Sequence, residues 1–227
     1  MDAGTLYIVS TPIGNLGDIT YRAVEILKKV DLIAVEDTRH ASILLKKYSV
    51  QTKRISYYEE IEERRSNELL SRLKAGENIA LISNAGTPAV SDPGYRLITK
   101  AIENGVSVVP IPGASSVLAA FVASGFSTDR FSFEGFLAKK KGRRKRLQEL
   151  QNDRRTLVFF ESPYRILRTL RDFLEVFGDR KCIVGREMTK IHEEFKRGRL
   201  SGLIQYFTEV KPRGEFVLII EGKRRES

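Results

Sequence analysis

Leu6-Tyr7-Ile8-Val9-Ser10-Thr11-Pro12-Ile13-Gly14-Asn15-Leu16-Gly17-Asp18 and Ile79-Ala80-Leu81-Ile82-Ser83-Asn84-Ala85-Gly86-Thr87-Pro88-Ala89-Val90-Ser91-Asp92-Pro93-Gly94 share one pattern. A short apolar run is followed by a loop crowded with Gly, Pro, Asn, Ser and Asp. An apolar run of this length with no polar alternation reads as a strand buried on both faces, as in a parallel sheet. The loop then leaves the carboxyl end of the strand, which is where open α/β sheets bind ligands. Glycine removes the Cβ that would block backbone approach, and proline fixes the path of the loop. Two such loops predict a small-molecule site.

Outward from these loops, strand-like and helix-like segments alternate. Ala23, Val24, Ile26, Leu27 and Val30 form one helix face, with Thr20 as its N-cap. Leu32 to Val35 is a second short apolar run, and Leu69, Leu70 and Leu73 mark a polar helix over about 61–73. Leu97, Ile98, Ala101 and Ile102 give another amphipathic helix, closed by Asn104-Gly105. The strand Val106 to Val109 ends at Pro110-Ile111-Pro112-Gly113. This β/α alternation predicts a mostly parallel sheet with helices on both faces.

The two prolines mark a boundary, giving an N-terminal domain over 1–111 and a C-terminal domain over 112–227. Beyond it the pattern changes. The Ala- and Ser-rich stretch Ala114 to Ser124 suits a closely packed helix, and Phe131 to Phe136 alternates aromatics with Ser132, Glu134 and Gly135. Thr156 to Phe160, Cys182 to Val184 and Phe216 to Ile220 are further strands. Ile166, Leu167, Leu170, Phe173, Leu174 and Phe177 form a helical stripe for a core. The second domain is expected to be α/β with a mixed or antiparallel sheet.

The chain has 227 residues, 41% of them hydrophobic and 30% charged, an ordinary globular composition. No apolar run approaches the roughly 18 residues that span a bilayer, and Met1-Asp2-Ala3-Gly4 leads straight into a strand without a secretory pattern. A lone Cys182 and two distant histidines, His40 and His192, exclude an internal disulfide and predict no metal site. The expectation is a cytoplasmic, metal-free protein with no membrane partner. The net charge of +10 is uneven: Lys139-Lys140-Lys141-Gly142-Arg143-Arg144-Lys145-Arg146 holds seven basic residues in eight. Such a block creates a field suited to nucleic-acid phosphates. A solvated helix start explains it equally well.

Familiar nucleotide and hydrolase signatures are absent. There is no Gly-x-x-x-x-Gly-Lys-Ser/Thr, and Gly14-Asn15-Leu16-Gly17 lacks the Rossmann spacing. No Gly-x-Ser-x-Gly elbow occurs.

Taken together, the loops resemble one family. They are Thr11 to Thr20, Glu36-Asp37-Thr38-Arg39-His40, Ser83 to Pro88 with Ser91-Asp92-Pro93-Gly94, Pro112-Gly113 and Phe133-Glu134-Gly135-Phe136. Glu161-Ser162-Pro163-Tyr164-Arg165 and Arg186-Glu187-Met188-Thr189-Lys190 with His192-Glu193-Glu194 complete the set. The chain is similar, over nearly its whole length, to the small-subunit ribosomal RNA methyltransferases I, 2′-O-cytidine methyltransferases of the tetrapyrrole-methylase fold. Three positions depart from that pattern: Asn84 stands where Asp is usual, Ala114 where Pro is common and Tyr164 where His is common.

The resemblance implies a two-domain α/β fold, S-adenosylmethionine held in a cleft between the domains, a homodimer, and a cytidine ribose of bacterial 16S rRNA or the small ribosomal subunit as target. It places the cofactor against Pro12, Asn84, Ala85, Gly86, Thr87, Pro88, Ser91, Asp92, Ser115, Ser116, Ser162 and Glu215. Small side chains and backbone groups suit a sulfonium nucleoside better than a phosphate nest does. Candidate bases for the ribose hydroxyl are Asp37, Glu134 and Glu161, each beside a matched loop. An ion pair with Arg39 for Asp37 and one with Arg165 for Glu161 are the structural alternatives. Arg22, Arg39, Arg165 and the block Lys139, Lys140, Lys141, Arg143, Arg144, Lys145 and Arg146 are candidate RNA contacts. Two other functions fit the same fold: methylation of a small anionic substrate such as a tetrapyrrole, and RNA binding without catalysis by an assembly factor.

Overall fold

The computed structural model describes residues 2–224. The chain divides into two compact units, Met1–Ser115 and Ser116–Ser227, four residues beyond the boundary expected from Pro110 to Gly113.

The first unit contains β1 (Thr5–Val9), α1 (Tyr21–Lys29), β2 (Leu32–Val35), α2 (Thr38–Lys47), β3 (Arg54–Ser56), α3 (Glu62–Lys74), β4 (Ile79–Ile82), α4 (Tyr95–Glu103) and β5 (Ser107–Ile111). All five strands are parallel, in the order β3-β2-β4-β1-β5. β2 and β4 are buried along their whole length, as their unbroken apolar runs require. On one face, α1 and α2 pack Ala23, Leu27, Ala41 and Leu45 against Val9, Ile33, Val35, Ala80 and Ile82. On the other, α3 and α4 pack Leu69, Leu73, Leu97 and Ala101 against Leu6, Ala34, Ile79 and Leu81. The alternation of side chains along each strand sends odd and even residues to different helical layers. Thr20 caps α1, its hydroxyl accepting from Ala23 N at 3.1 Å. Pro110 lies inside β5, where the missing N–H is tolerated because β5 is an edge strand.

The second unit contains α5 (Ser116–Val122), β6 (Phe131–Phe136), α6 (Arg143–Leu150), β7 (Thr156–Glu161), α7 (Ile166–Phe177), β8 (Lys181–Arg186), β9 (Glu194–Arg199), α8 (Leu200–Glu209) and β10 (Phe216–Ile220). Its sheet order is β6-β7-β10-β8-β9, and only β6 and β7 run parallel. The sheet is therefore mixed. The α7 stripe enters the core with Leu157, Phe159, Val184 and Leu218. Phe159 and Phe173 meet at a centroid distance of 4.9 Å. β6 is bulged between Phe133 and Gly135, so Glu134 falls out of the ladder register.

Among the described residues, no helix is long and apolar enough to cross a membrane, and no group of three potential metal ligands occurs.

Candidate active site

Three connections gather at the carboxyl edge of the first sheet. Thr11, two residues past β1, forms an isolated antiparallel bridge with Gly86, past β4. Thr11 N donates to Gly86 O at 2.8 Å, and Gly86 N returns a bond to Thr11 O at 3.1 Å. The Thr11 hydroxyl is buried against the carbonyls of Ser83 and Gly86 at 3.3 and 3.4 Å. Ser10 Oγ meets Thr87 Oγ1 at 2.9 Å, and the Thr87 hydroxyl lies 3.5 Å from Ala114 O. The two loops that decide the fold are thus bonded to one another.

Glycine is required at two points of this knot. Gly86 has φ +83, a left-handed conformation that L side chains rarely adopt. A Cβ on Gly113 would lie 2.8 Å from Ser10 Cβ, so the third connection approaches β1 only without a side chain. Ala89 (φ 66) and Ser91 (φ 64) are also left-handed, although neither is glycine. Each costs about 1 kcal/mol or more, and such strain clusters at functional segments.

Asp92 sits in this strained loop, half-buried. Burial first, and the charge of Glu36 second, push its carboxyl up to about 6, against the opposing hydrogen bond from Ser83. Glu36 directly follows β2 and accepts from Asn84 N at 3.1 Å. Pro12, Gly86 and Pro88 are buried, Asn84, Thr87 and Asp92 are half-buried, and Ala85 and Ser91 are exposed. Pro12, Asn84 to Pro88, Ser91 and Asp92 therefore belong to one loop cluster, beside Asp37.

Sequence reasoning missed the residue that holds this loop. Glu62, the first residue of α3, accepts from Gly94 N at 3.0 Å and from Tyr57 OH at 2.9 Å, all with one oxygen, Oε1. Its other oxygen lies 3.5 Å from Arg96 Nε. Tyr57 also meets Ser66 Oγ at 3.0 Å, and burial drives its phenol well above the ordinary range. No local pattern links Glu62 with Gly94, because the bond crosses 32 positions.

The candidate bases lie in different environments. Asp37 is the N-cap of α2: its Oδ1 accepts from Arg39 N at 2.7 Å and His40 N at 3.3 Å, and these backbone bonds hold its carboxyl below the usual range. Glu134 is enclosed by Arg146 at 2.7 Å and Ser132 Oγ at 2.7 Å. Glu161, buried at the end of β7, accepts from Ser162 N at 2.9 Å and Thr169 Oγ1 at 2.5 Å, with Arg165 Nε at 3.2 Å. Both glutamates are fully engaged inside the second unit.

The other expected residues of that unit are distributed. Ser162 directly follows β7, in the turn that leads into α7, and its carbonyl accepts from Arg165 N and Ile166 N, both at 3.1 Å. Glu215 is exposed before β10 and pairs with Lys190 at 2.9 Å. Ser116 opens α5, directly after Ser115.

The basic block is less available than its sequence suggests. Arg143 is a correction: its side chain is buried, donating to Asp172 at 2.7 Å and Thr169 at 2.7 Å, so it faces the core and no RNA phosphate. It opens α6, and its position in that turn directs it toward α7. Arg144 pairs with Glu175 at 2.8 Å, and Arg146 with Glu134 and Glu149. Arg165 is partly buried and donates to Leu137 O at 2.5 Å. Lys139, Lys140, Lys141, Lys145, Arg22 and Arg39 remain exposed.

This chemistry fits a sulfonium nucleoside. Small residues line the knot, Asp92 supplies a carboxylate for a cationic or hydroxylic end, and among the described residues no cluster of cations stands there to demand a phosphate.

The Tetrapyrrole (Corrin/Porphyrin) Methylases family model matches residues 5–204. A curated "Ribosomal RNA small subunit methyltransferase I" from Synechocystis sp. is 51% identical, covering 98% of this chain and 81% of its own length. The protein of the same name from Thermotoga maritima is 47% identical, covering 97% and 99%. Among solved structures, a diphthine synthase superposes with a TM-score of 0.76 at 16% identity, covering 97% of this chain and 90% of its own. Uroporphyrin-III C-methyl transferase from Thermus thermophilus, complexed with S-adenyl homocysteine, gives 0.70 at 19% identity, covering 96% and 97%. These two structures share the fold.

Proposed function

Because the chain belongs to the tetrapyrrole methylase family, among its ribosomal RNA small subunit methyltransferase I members, we propose that it methylates the 2′-hydroxyl of a cytidine ribose in bacterial 16S rRNA. It is an S-adenosylmethionine-dependent methyltransferase. The observation that carries the substrate reading is identity of 51% and 47% to relatives named for ribosomal RNA, sustained through both units.

S-adenosylmethionine supplies a methyl group on a cationic sulfur, ready for in-line displacement. The chain's own task is to align that group with the ribose oxygen and accept the hydroxyl proton. In this reading the Thr11–Gly86 bridge and the Ser10–Thr87 contact fix the donor's seat, with Asp92 and Asn84 at its polar ends. Ser115, Ser116, Ser162 and Glu215 are assigned to the same cofactor. Of the candidate bases, Asp37 alone keeps an oxygen, Oδ2, uncommitted among the described residues, whereas Glu134 and Glu161 spend both of theirs. Arg22, Arg39, Lys139, Lys140, Lys141 and Lys145 supply phosphate contacts. A homodimer working in the cytoplasm completes the proposal.

A mass-spectrometric map of 16S rRNA from cells lacking the gene tests it. One ribose methyl on a cytidine is expected to vanish, to return with this chain, and to stay absent with Gly86→Arg, which strains the backbone at φ +83 and crowds a long charged side chain against Ile13. Unchanged ribosomal RNA, or methyl transfer to a tetrapyrrole instead, overturns the substrate reading.

A further inference from the structure

The exposed cations without a carboxylate partner are not confined to the block over 139–146. In the first unit, Lys28 and Lys29 close α1, Lys46 and Lys47 close α2, and Lys53 and Arg54 enter β3, all of them exposed. These residues are scattered over three segments, and the fold collects them. A parallel strand–helix–strand unit returns each helix C-terminus to the amino edge of the sheet, so α1, α2 and the start of β3 end side by side. Hydrogen bonds confirm that closeness. Thr52 Oγ1 donates to Leu27 O at 2.6 Å, Ile33 N donates to Lys53 O at 2.9 Å, and Arg54 Nη1 donates to Ser42 Oγ at 2.6 Å. Between the α2 end and β3 lies an open hollow of about 490 Å³, lined by Ser42, Lys46, Ser49, Gln51 and Arg54 among others.

None of these six cations pairs with a carboxylate among the described residues. The acids nearby are few: Glu25 lies one turn earlier on α1, and Asp31 is turned to Asn78 N at 2.8 Å. The macrodipole accounts for lysines in the last turns of α1 and α2. It does not account for Lys53 and Arg54, which stand at the start of an edge strand. Clustered like charges repel, and a surface that keeps them unpaired is suited to an extended polyanion. Little apolar surface accompanies them; Ile43 on α2 is the large exposed aliphatic of this face, too little for insertion into lipid.

We infer that the amino edge of the first sheet, carrying Lys28, Lys29, Lys46, Lys47, Lys53 and Arg54, is a second contact for the phosphate backbone of the RNA substrate. The inference rests on the ribosomal RNA reading above and deepens it. This surface lies across the strands from the candidate site, about 15 Å for strands of this length. A target of nucleoside size cannot reach both edges, and a folded RNA can.

The test measures methylation of 16S rRNA and of small subunits by the full chain and by the triple variant Lys46→Glu, Lys47→Glu, Lys53→Glu. A Lys→Gln triple at the same positions serves if charge reversal unfolds the protein. The KM for RNA is expected to rise at least tenfold at about 0.1 M salt, with kcat within twofold and the donor's Kd unchanged. The dependence of log KM on log salt should become shallower by roughly 0.7 to 0.9 for each phosphate no longer neutralised. An unchanged KM and salt slope in a folded variant, with the parent active, overturns this surface while leaving the substrate reading intact. A parent inactive on ribosomal RNA overturns the substrate reading itself. Patch-dependent binding to phosphatidylserine vesicles, with RNA kinetics unmoved, makes the edge a lipid-binding surface and also overturns the inference.

Discussion

Glu62 in the first unit and Glu161 in the second are both buried carboxylates at the edge of a sheet, and each holds a backbone N–H and a hydroxyl. Glu62 binds Gly94 N and Tyr57 OH; Glu161 binds Ser162 N and Thr169 Oγ1. Their reach differs. Glu161 ties groups one and eight positions away, and through Thr169 it joins Arg143 and the half-buried Asp172 in one network. Glu62 spans 32 positions to a strained loop. One glutamate holds a helix start to its own strand, and the other holds a strained loop to the scaffold. A buried carboxylate beside a motif is therefore not enough to name a base: what it is bonded to, and how far along the chain, decides its work.

The largest expected effect comes from the closed network. Glu161→Ala leaves Thr169 Oγ1 and Ser162 N without their acceptor, and Arg165 without its ion-pair partner, inside the second unit. Removing one member of such a network costs about 3–5 kcal/mol, which lowers the melting temperature by roughly 10 °C or more. Differential scanning calorimetry checks this. If Glu161→Gln melts with the parent and loses only kcat, the carboxylate acts on substrate and the contrast with Glu62 fails.

Glu62→Ala comes next. It strands Gly94 N and leaves Tyr57 OH with Ser66 Oγ alone, at about 2 kcal/mol, and it frees the loop that carries Asp92. Calorimetric titration is expected to show donor affinity falling about tenfold while kcat at saturation stays within twofold. Glu62→Gln keeps an acceptor for both groups and should restore most of the affinity. A loss confined to stability, with donor affinity unmoved, would reduce Glu62 to the local role that Glu161 plays.

The same contrast explains how much was legible in the sequence. Runs such as Leu32 to Val35 and Ile79 to Ile82 read as strands because four apolar residues bounded by turn-forming loops are too short for a buried helix and suit a doubly covered sheet, and the α7 stripe is core for the analogous helical reason. Thr20 was readable because a cap is a bond three positions long. β9 was not: Glu194-Phe195-Lys196-Arg197-Gly198-Arg199 carries the charged, polar pattern of an edge strand, which periodicity does not separate from a loop. Arg143 was misjudged because charge in a run of charge reads as surface, whereas one turn of helix is enough to point it at Asp172. Glu62 with Gly94, and the lysines of the amino edge, are relations between distant segments. They exist only once the chain has folded.

The smallest effect sharpens the comparison through pH. Asp92 differs from both glutamates in having no cation paired with it among the described residues: burial and Glu36 raise its carboxyl from 3.8 to about 6. A carboxyl whose folded value lies above its unfolded value binds more protons in the folded state. Stability is therefore lost as pH rises from about 4 through 6, and the loss is complete above about 7. With solvent screening allowed for, the strain of ionised Asp92 is on the order of 1–2 kcal/mol. Asp92→Asn should melt higher than the parent at pH 8, with the gap closing as pH falls from 6 toward 4. Asp92 must be ionised to hold a cationic group, so donor affinity in the parent is expected to tighten as pH rises through 6, and Asp92→Asn should abolish that dependence. Melting curves and titrations at pH 4.5, 6 and 8 measure both. A parent whose affinity is flat across that range, with a variant no more stable at pH 8, would leave the loop held by Glu62 with no charge to present.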